Sequence, residues 1–291
     1  KTGFMFNWYA SATKKFSPDE LQTIGNNMEK FDFYCKKHHI KLYIVLIPHP
    51  LFLYREKDAN ITANVKDNAE QIYKHVTEKH PNINIYYTKK ILINEKKKNI
   101  IYYKTDHHIT DMGQYSLYQY LINILKRDFS DIKTTPLSDF NISKNKLVRF
   151  EFHRKFEPGA EYNWFGLDKK AKLLDTEYLY LDYKYNNDIT IKKVEDNAHY
   201  THHNPKGKYK LLLIGDSYIE SLSYFLNTSF YNIEKYRATQ MGLNNPHREY
   251  DMEIPPYYSI IETYKPDAII IVQSGYTRFL NMYQQDNEGD K

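Results

Sequence analysis

The stretch LLLIGDSYIE, residues 211–220, is an apolar run that ends in Gly215, Asp216 and Ser217. A continuous apolar run is typical of a parallel strand buried on both faces, and the glycine predicts a strand-to-helix turn. Ligands of open α/β sheets bind at the carboxyl ends of the strands, which is where a nucleophilic Ser217 would lie. Its backbone N–H, near a helix start, would be placed to stabilise an oxyanion. The alternative interpretation is that Ser217 only caps the helix.

Helical and strand patterns alternate along the rest of the chain. Apolar runs predict strands at 41–47, 82–87, 99–104, 210–215, 229–236 and 267–273. Helical spacing predicts a helix that begins at the capping box Ser17 to Glu20, and further helices at 63–79, 111–127, from about 218, and at 256–264. This alternation predicts an α/β fold with a parallel sheet covered by helices on both faces.

The middle of the chain has a different pattern. The segments 147–156, 177–185 and 188–194 alternate apolar and polar residues, as half-exposed antiparallel strands do. We therefore predict an α/β domain formed by residues 1–135 and 206–291, interrupted by a β-rich insertion at 136–205.

Composition argues against a dedicated nucleic-acid binder. The 291 residues include 41 basic and 36 acidic side chains, a formal net charge of +5, and the basic residues are spread along the chain. Nucleic-acid binders concentrate positive charge on one patch. The 29 tyrosines indicate either compositional drift, as in an AT-rich genome, or a sugar-facing surface, because flat rings with polar tips suit carbohydrates.

The cysteine count and the hydropathy pattern argue against a disulfide-rich protein and against a membrane-spanning segment within the sequence. The single cysteine, Cys35, falls on a helix face and is predicted to be buried, so the chain forms no internal disulfide framework. No apolar run reaches the roughly 20 residues of a membrane span. The sequence starts at Lys1 without an initiator methionine. We expect it to be part of a longer protein with a membrane anchor upstream.

A second polar motif lies in YYKTDHHIT, residues 102–110. An aspartate two residues before a histidine can accept its Nδ1–H, which leaves Nε2 to take a proton from a serine. The competing interpretation is a metal-binding Asp-His-His turn, as in manganese phosphoesterases. Those sites need further Asp and His ligands, including an Asp-x-Asp motif upstream. Residues 1–105 contain no Asp-x-Asp motif. The motif therefore favours triad chemistry without a metal or cofactor.

A third candidate is the histidine-rich segment HYTHH, residues 199–203. Its histidines at i, i+3 and i+4 would share one face of a helix and could hold a metal. However, Asn204 and Pro205 follow at once and no acidic run supports a helix. We predict a solvated loop here.

The chain resembles the AlgJ/AlgX-like and DHHW-type members of the SGNH-hydrolase superfamily. Four segments carry the resemblance in the family's order: LYIVLIPHPLFLY, YYKTDHHITDMGQYSLY, IGDSY and KPDAIIIVQSGYTRFL, which begin at residues 42, 102, 214 and 265. The family's Thr-Asp-x-His-Trp-Thr motif matches 105–110, with Ile109 in place of tryptophan. Its Gly-Asp-Ser-Phe/Tyr motif matches 215–218. The sequence QSGYTRFL lacks the acidic partner of the family's Glu-Arg pair, and Arg278 matches its arginine.

The resemblance implies a catalytic triad of Ser217, His108 and Asp106, with His107 outside it. It also implies a serine-dependent O-acetyltransferase or acetylesterase that modifies a cell-envelope or extracellular polysaccharide. The acetyl donor would come from a membrane-bound O-acyltransferase, and the chain would work outside the cytoplasm. A set of residues after later strands would line the same edge as oxyanion or substrate contacts: Arg237, Gly275, Tyr276 and Arg278. The rival hypothesis is a polysaccharide-binding subunit that kept the fold and lost turnover.

Overall fold

The computed structural model describes residues 13–54, 65–103, 108–145, 177–185, 188–194, 199–237 and 257–274. In these ranges the helices are α1 (Pro18–Lys37), α2 (Asn68–Lys79), α3 (Lys89–Lys96), α4 (Asp111–Leu125), α5 (Tyr218–Leu226) and α6 (Tyr257–Tyr264). The strands are β1 (Lys41–Ile47), β2 (Ile85–Tyr87), β3 (Phe140–Asn145), β4 (Tyr178–Tyr183), β5 (Thr190–Lys193), β6 (His199–His203), β7 (Lys208–Gly215), β8 (Phe230–Arg237) and β9 (Ala268–Ser274).

Seven of these strands form one sheet in the order β2-β1-β9-β7-β8-β6-β5. The first five in that order pair in parallel, and β6 and β5 add an antiparallel edge. The carboxyl ends of β1, β9, β7 and β8 therefore meet at one edge of the sheet, which is the edge where α/β proteins place their sites.

Both faces of the sheet are covered, which confirms the predicted fold class. On β1, Tyr43 and Val45 join a buried cluster that includes side chains of α4 and α5. The alternate residues Leu42 and Ile44 join a second cluster with side chains of α1, α2 and α6. Each fully buried aliphatic side chain contributes about 1.5–3 kcal/mol relative to exposure. A strand apolar on both faces is stable only inside such a sandwich.

Several predicted elements are confirmed. The Ser17 capping box opens α1, with the Glu20 N–H 3.1 Å from the Ser17 hydroxyl. Strand β1 covers the predicted residues, and β7, α5, β8, α6 and β9 follow in the predicted order. Cys35 is buried, and burial raises the pKa of its thiol to about 12, so it is not a thiolate nucleophile at neutral pH.

Two predicted elements differ from the structure. The helix predicted at 63–79 begins at Asn68, because the Asp67 carboxylate caps it by accepting the Ala69 N–H at 3.0 Å. The segment 99–104 is not a strand of the sheet in its described part. Tyr102 instead forms a single antiparallel bridge with Ile109, after helix α3, which the sequence analysis did not predict.

The predicted β-rich region is described only in part. Strands β3 and β4 form a separate antiparallel pair, whereas β5 and β6 extend the main sheet. The segment 147–156 lies outside the described residues. The division of the chain into a split α/β domain and a 136–205 insertion stays a prediction.

The prediction of a solvated loop at 199–203 was wrong. These residues form β6, and His202 is buried with 6% of its surface exposed. His199 stacks on Tyr236 of β8, with ring centroids 4.0 Å apart. The backbone N–H and C=O groups of β6 are paired with β8 on one side and β5 on the other, which satisfies the groups that burial removes from water.

Candidate active site

Ser217 lies in the turn between β7 and α5, at the carboxyl edge of the sheet. It occupies the N-cap position of α5, yet its side chain makes no capping hydrogen bond. The hydroxyl is therefore not used to cap the helix, which removes the alternative interpretation of this serine. Ser217 is half-buried, so its hydroxyl combines partial exposure with a fixed backbone.

The turn requires glycine at position 215. A Cβ on Gly215 would lie 2.4 Å from the Val272 carbonyl oxygen of β9 and 2.5 Å from the Ile219 side chain. Both distances are shorter than real Cβ contacts, so the end of β7 approaches β9 and α5 more closely than any side chain allows. The glycine thus allows the end of β7, and Ser217 after it, to lie close against β9.

His108 meets Ser217 directly. Its Nε2 lies 2.7 Å from the Ser217 hydroxyl oxygen, within hydrogen-bond distance. The ring of His108 also lies beside that of Tyr218, with centroids 5.6 Å apart. If the Ser217 hydroxyl donates, Nε2 is the acceptor and the proton of the neutral ring is on Nδ1.

An antiparallel backbone bridge between residues 101–103 and 108–110 positions His108. The Tyr103 N–H donates to the His108 carbonyl at 3.1 Å, and the Thr110 N–H donates to the Ile101 carbonyl at 3.0 Å. Thr110 then caps α4, accepting the Gly113 N–H at 3.4 Å. The helix cap follows His108 by two residues, so the backbone from His108 onward is held by the bridge to residues 101–103 and by the start of α4.

The other predicted site residues divide into two groups. Arg237 ends β8, is half-buried, and pairs in register with Gly215, so it lies one strand away from the Ser217 turn. The remaining predicted residues lie outside the described part of the chain: Asp106, His107, Gly275, Tyr276 and Arg278.

Sequence reasoning missed two sets of contacts at the turn. Asp216 is buried and accepts hydrogen bonds from Tyr218 in α5 and from Ser274 at the end of β9. Glu220, in the first turn of α5, pairs with the buried Lys235 of β8 at 2.5 Å. The sequence shows Asp216 next to the serine. It does not show that Ser274 of β9 and Lys235 of β8 will contact this turn, because they are distant in the chain.

Two further buried groups have shifted pKa values. Burial raises the pKa of Asp67 to about 7, against hydrogen bonds from Tyr87 and Ala69 that lower it. The Tyr87 hydroxyl donates to the Asp67 carboxylate at 2.8 Å, near the carboxyl ends of β1 and β2. Burial, and then the charge of Lys235, lower the pKa of His202 to about 4. Both groups are buried within the described fold rather than open to a substrate.

The described residues hold no group of three His, Cys, Asp or Glu side chains that could ligate a metal ion. In the same part of the chain, no helix is both long and apolar enough to cross a membrane.

Comparison with known proteins shows the fold. The structure of Bacillus cereus PatB1 with a sulfonyl adduct is similar with a TM-score of 0.64 and 13% identity, over 93% of this chain and 95% of that chain. A DHHW family protein from Eubacterium siraeum has a TM-score of 0.59 and 11% identity, over 87% and 84%. The O-acetyltransferase domain of Pseudomonas putida AlgJ has a TM-score of 0.53 and 15% identity, over 92% and 87%. The chain shares the fold of these proteins.

This fold is the one that the sequence resemblance implied. No protein-family model matches the sequence, and no curated protein matches it at a significant level. TM-scores of 0.53–0.64 establish a common fold even though the sequence identities are only 11–15%. A fold hosts many activities, so function must be argued from the site.

Proposed function

We propose that the protein is a serine-dependent O-acetyltransferase or acetylesterase that acts on a cell-envelope or extracellular polysaccharide. The observation that carries the proposal is the 2.7 Å contact between His108 Nε2 and the Ser217 hydroxyl at the carboxyl edge of the sheet. A serine hydroxyl is a weak nucleophile until a positioned base accepts its proton. A histidine at this distance is such a base.

In the proposed reaction, the Ser217 oxygen attacks the carbonyl carbon of an acetyl ester while His108 Nε2 accepts the serine proton. The tetrahedral intermediate collapses, the donor's alcohol leaves with that proton, and the acetyl group remains as an ester on Ser217. A hydroxyl of the acceptor sugar then gives its proton to His108 and attacks the acyl-enzyme. Transfer returns the proton to the serine oxygen. If water replaces the sugar, the product is acetate.

The backbone of the turn supports an oxyanion contact at Ser217. The three following amides are already committed: Tyr218 N–H to the Asp216 side chain, Ile219 N–H to the Asp216 carbonyl, and Glu220 N–H to the Ser217 carbonyl. The Ser217 N–H, in contrast, donates no hydrogen bond within the described part of the chain. It is also at the positive end of α5, where negative charge is stabilised. We assign it as the main oxyanion donor.

Asp106 would complete the triad by accepting the Nδ1–H of His108. That bond would keep Nε2 unprotonated and aligned with Ser217. Arg237 would contact substrate from the neighbouring strand end, and Gly275, Tyr276 and Arg278 would follow β9 at the same edge. These roles rest on chain position and on the family resemblance.

The proposed acetyl transfer agrees with a fold neighbour, and the proposed substrate and setting follow the sequence resemblance. AlgJ contributes an O-acetyltransferase domain with this fold, and PatB1 carries a sulfonyl adduct. We propose that the acceptor is a polysaccharide, that a membrane-bound O-acyltransferase supplies the acetyl group, and that the chain works outside the cytoplasm on an anchor contributed by further sequence.

A chromogenic acetyl ester tests the activity. Wild-type protein should release the chromophore and accumulate an acetylated Ser217, detectable by mass spectrometry, whereas Ser217→Ala should do neither. Adding a polysaccharide acceptor then separates transfer from hydrolysis. Polysaccharide binding with no Ser217-dependent turnover would reject the enzyme and favour the binding-subunit hypothesis.

A further inference from the structure

Asp216, the residue before the proposed nucleophile, connects three elements of the fold. Its Oδ1 accepts the Tyr218 N–H of α5 at 3.0 Å. Its Oδ2 accepts the Ser274 N–H at 2.8 Å and the Ser274 hydroxyl at 2.5 Å, both at the end of β9. Asp216 is 5% exposed and Ser274 is fully buried. The two carboxylate oxygens thus hold the turn from opposite sides.

This arrangement determines which backbone amide is available to a substrate. By accepting the Tyr218 N–H, Asp216 removes that amide from competition for an anion and leaves the N–H of Ser217. By accepting both donors of Ser274, it prevents the turn from moving away from β9. Gly215 adds a further constraint. The backbone there packs so closely against the Val272 carbonyl of β9 that no side chain fits between them.

We propose that Asp216 is a positioning residue that sets the hydroxyl and the N–H of Ser217 for acyl transfer. The inference rests on the proposed function of Ser217. Reacting groups must stay within about 0.5 Å of the productive geometry. Asp216 itself does not touch the substrate in this proposal. It acts through the backbone of the residue that does.

Asparagine at position 216 tests the proposal with little change in volume. All three of these partners donate: two are backbone N–H groups and one is a hydroxyl. An asparagine side chain offers one acceptor oxygen and one donor NH₂. In either orientation its NH₂ group faces a backbone N–H, either that of Tyr218 or that of Ser274. One side of the turn must then shift.

The experiment counts functional serines and measures turnover separately. Each protein is labelled to completion with a sulfonyl fluoride, labelled Ser217 is counted by mass spectrometry, and kcat and KM for a chromogenic acetyl ester are expressed per labelled site. For Asp216→Asn we expect kcat per site to fall about 10²-fold with KM nearly unchanged, the loss typical of a displacement of about 1 Å. The matched control is Asp188→Asn, which removes an exposed carboxylate paired with Lys206 and should leave both constants unchanged.

Ser274→Ala gives a second, milder variant that keeps the β9 backbone N–H. It should lower kcat per site in the same direction and by less, and the double variant should be no worse than Asp216→Asn alone, because the two residues form one clamp. A structural role alone would reduce the number of labelled sites and leave turnover per site unchanged, and that result would overturn the proposal. Full activity in Ser217→Ala would instead reject the proposed function itself.

Discussion

His108 and Ser217 lie 109 residues apart in the chain, yet the histidine Nε2 is 2.7 Å from the serine hydroxyl oxygen. Neither side chain reaches the other by local folding. The serine follows a central parallel strand, and the histidine lies two residues before Thr110, the N-cap of α4. The contact is the product of two separately positioned backbones, and its role in catalysis is open to direct tests.

Loss of either member of this pair should be as costly as loss of both. Ser217→Ala and His108→Ala should each reduce kcat for an acetyl ester by about 10³-fold or more, since groups that act on one proton work as a unit. The double variant should be little worse than either single variant. Steady-state kinetics, with circular dichroism to verify folding, would measure this. Losses that multiply would mean that the two residues do not share one step.

Asp106 and His107 provide a matched comparison within the same segment. Asp106→Asn should reduce kcat strongly, because the amide cannot stabilise the correct ring tautomer and the imidazolium of His108. His107→Ala should have a far smaller effect, because in the proposed triad this ring is not a member. Kinetics on both variants beside His108→Ala decide the assignment. If His107→Ala were the costlier histidine variant, the triad would have to be drawn through His107.

The proposed triad also predicts insensitivity to chelation. Its steps involve only proton transfer and acyl transfer between Ser217 and His108, so EDTA should leave ester turnover unchanged. The measurement is activity before and after dialysis against the chelator, with metal content determined in parallel. Loss of activity with rescue by manganese or zinc would revive the phosphoesterase interpretation of the Asp-His-His segment.

Much of this fold is visible in the sequence because its central strands are apolar on both faces. Runs such as 41–47 and 267–273 leave few alternatives to a buried parallel strand, and the capping residues Ser17 and Thr110 mark where helices begin. The serine could be singled out because it follows such a strand. The Asp-x-His spacing pointed to His108 and the family resemblance supported it, whereas the strand predicted just before it is not part of the sheet in its described residues.

What the sequence could not supply depends on tertiary pairing. The HYTHH segment is polar and predicts a solvated loop, and it forms a strand because β8 and β5 both pair with it. Asp216 and Ser274 are 58 residues apart, and no local sequence pattern predicts that they form a hydrogen bond. The same holds for Glu220 and Lys235, whose ion pair forms only once α5 packs on β8.

The buried carboxyl of Asp67 should make the protein less stable as pH rises. Its folded pKa is about 7 against an ordinary value of 3.8, so between these values the folded state holds a proton that the unfolded state releases. Asp67 therefore lowers the free energy of unfolding by up to about 1.4 kcal/mol per pH unit in this window. Urea unfolding of wild type and Asp67→Asn from pH 4 to pH 7 should show the wild type losing stability relative to the variant. A constant difference would mean that Asp67 is ionised in both states.

His202 should have the opposite effect over an overlapping range. The Asn227 amide donates to its Nδ1, so the buried ring is neutral in the folded protein, with a pKa lowered from 6.5 to about 4. Below pH 6.5 His202 binds a proton in the unfolded state but not in the folded state. The free energy of unfolding therefore decreases as pH falls toward 4. His202→Asn keeps an acceptor for Asn227 and removes the titration. The difference in unfolding free energy, wild type minus variant, should rise with pH between 4 and 6.5 and then level off. A difference that falls over this range would show that the His202 ring is charged in the folded protein.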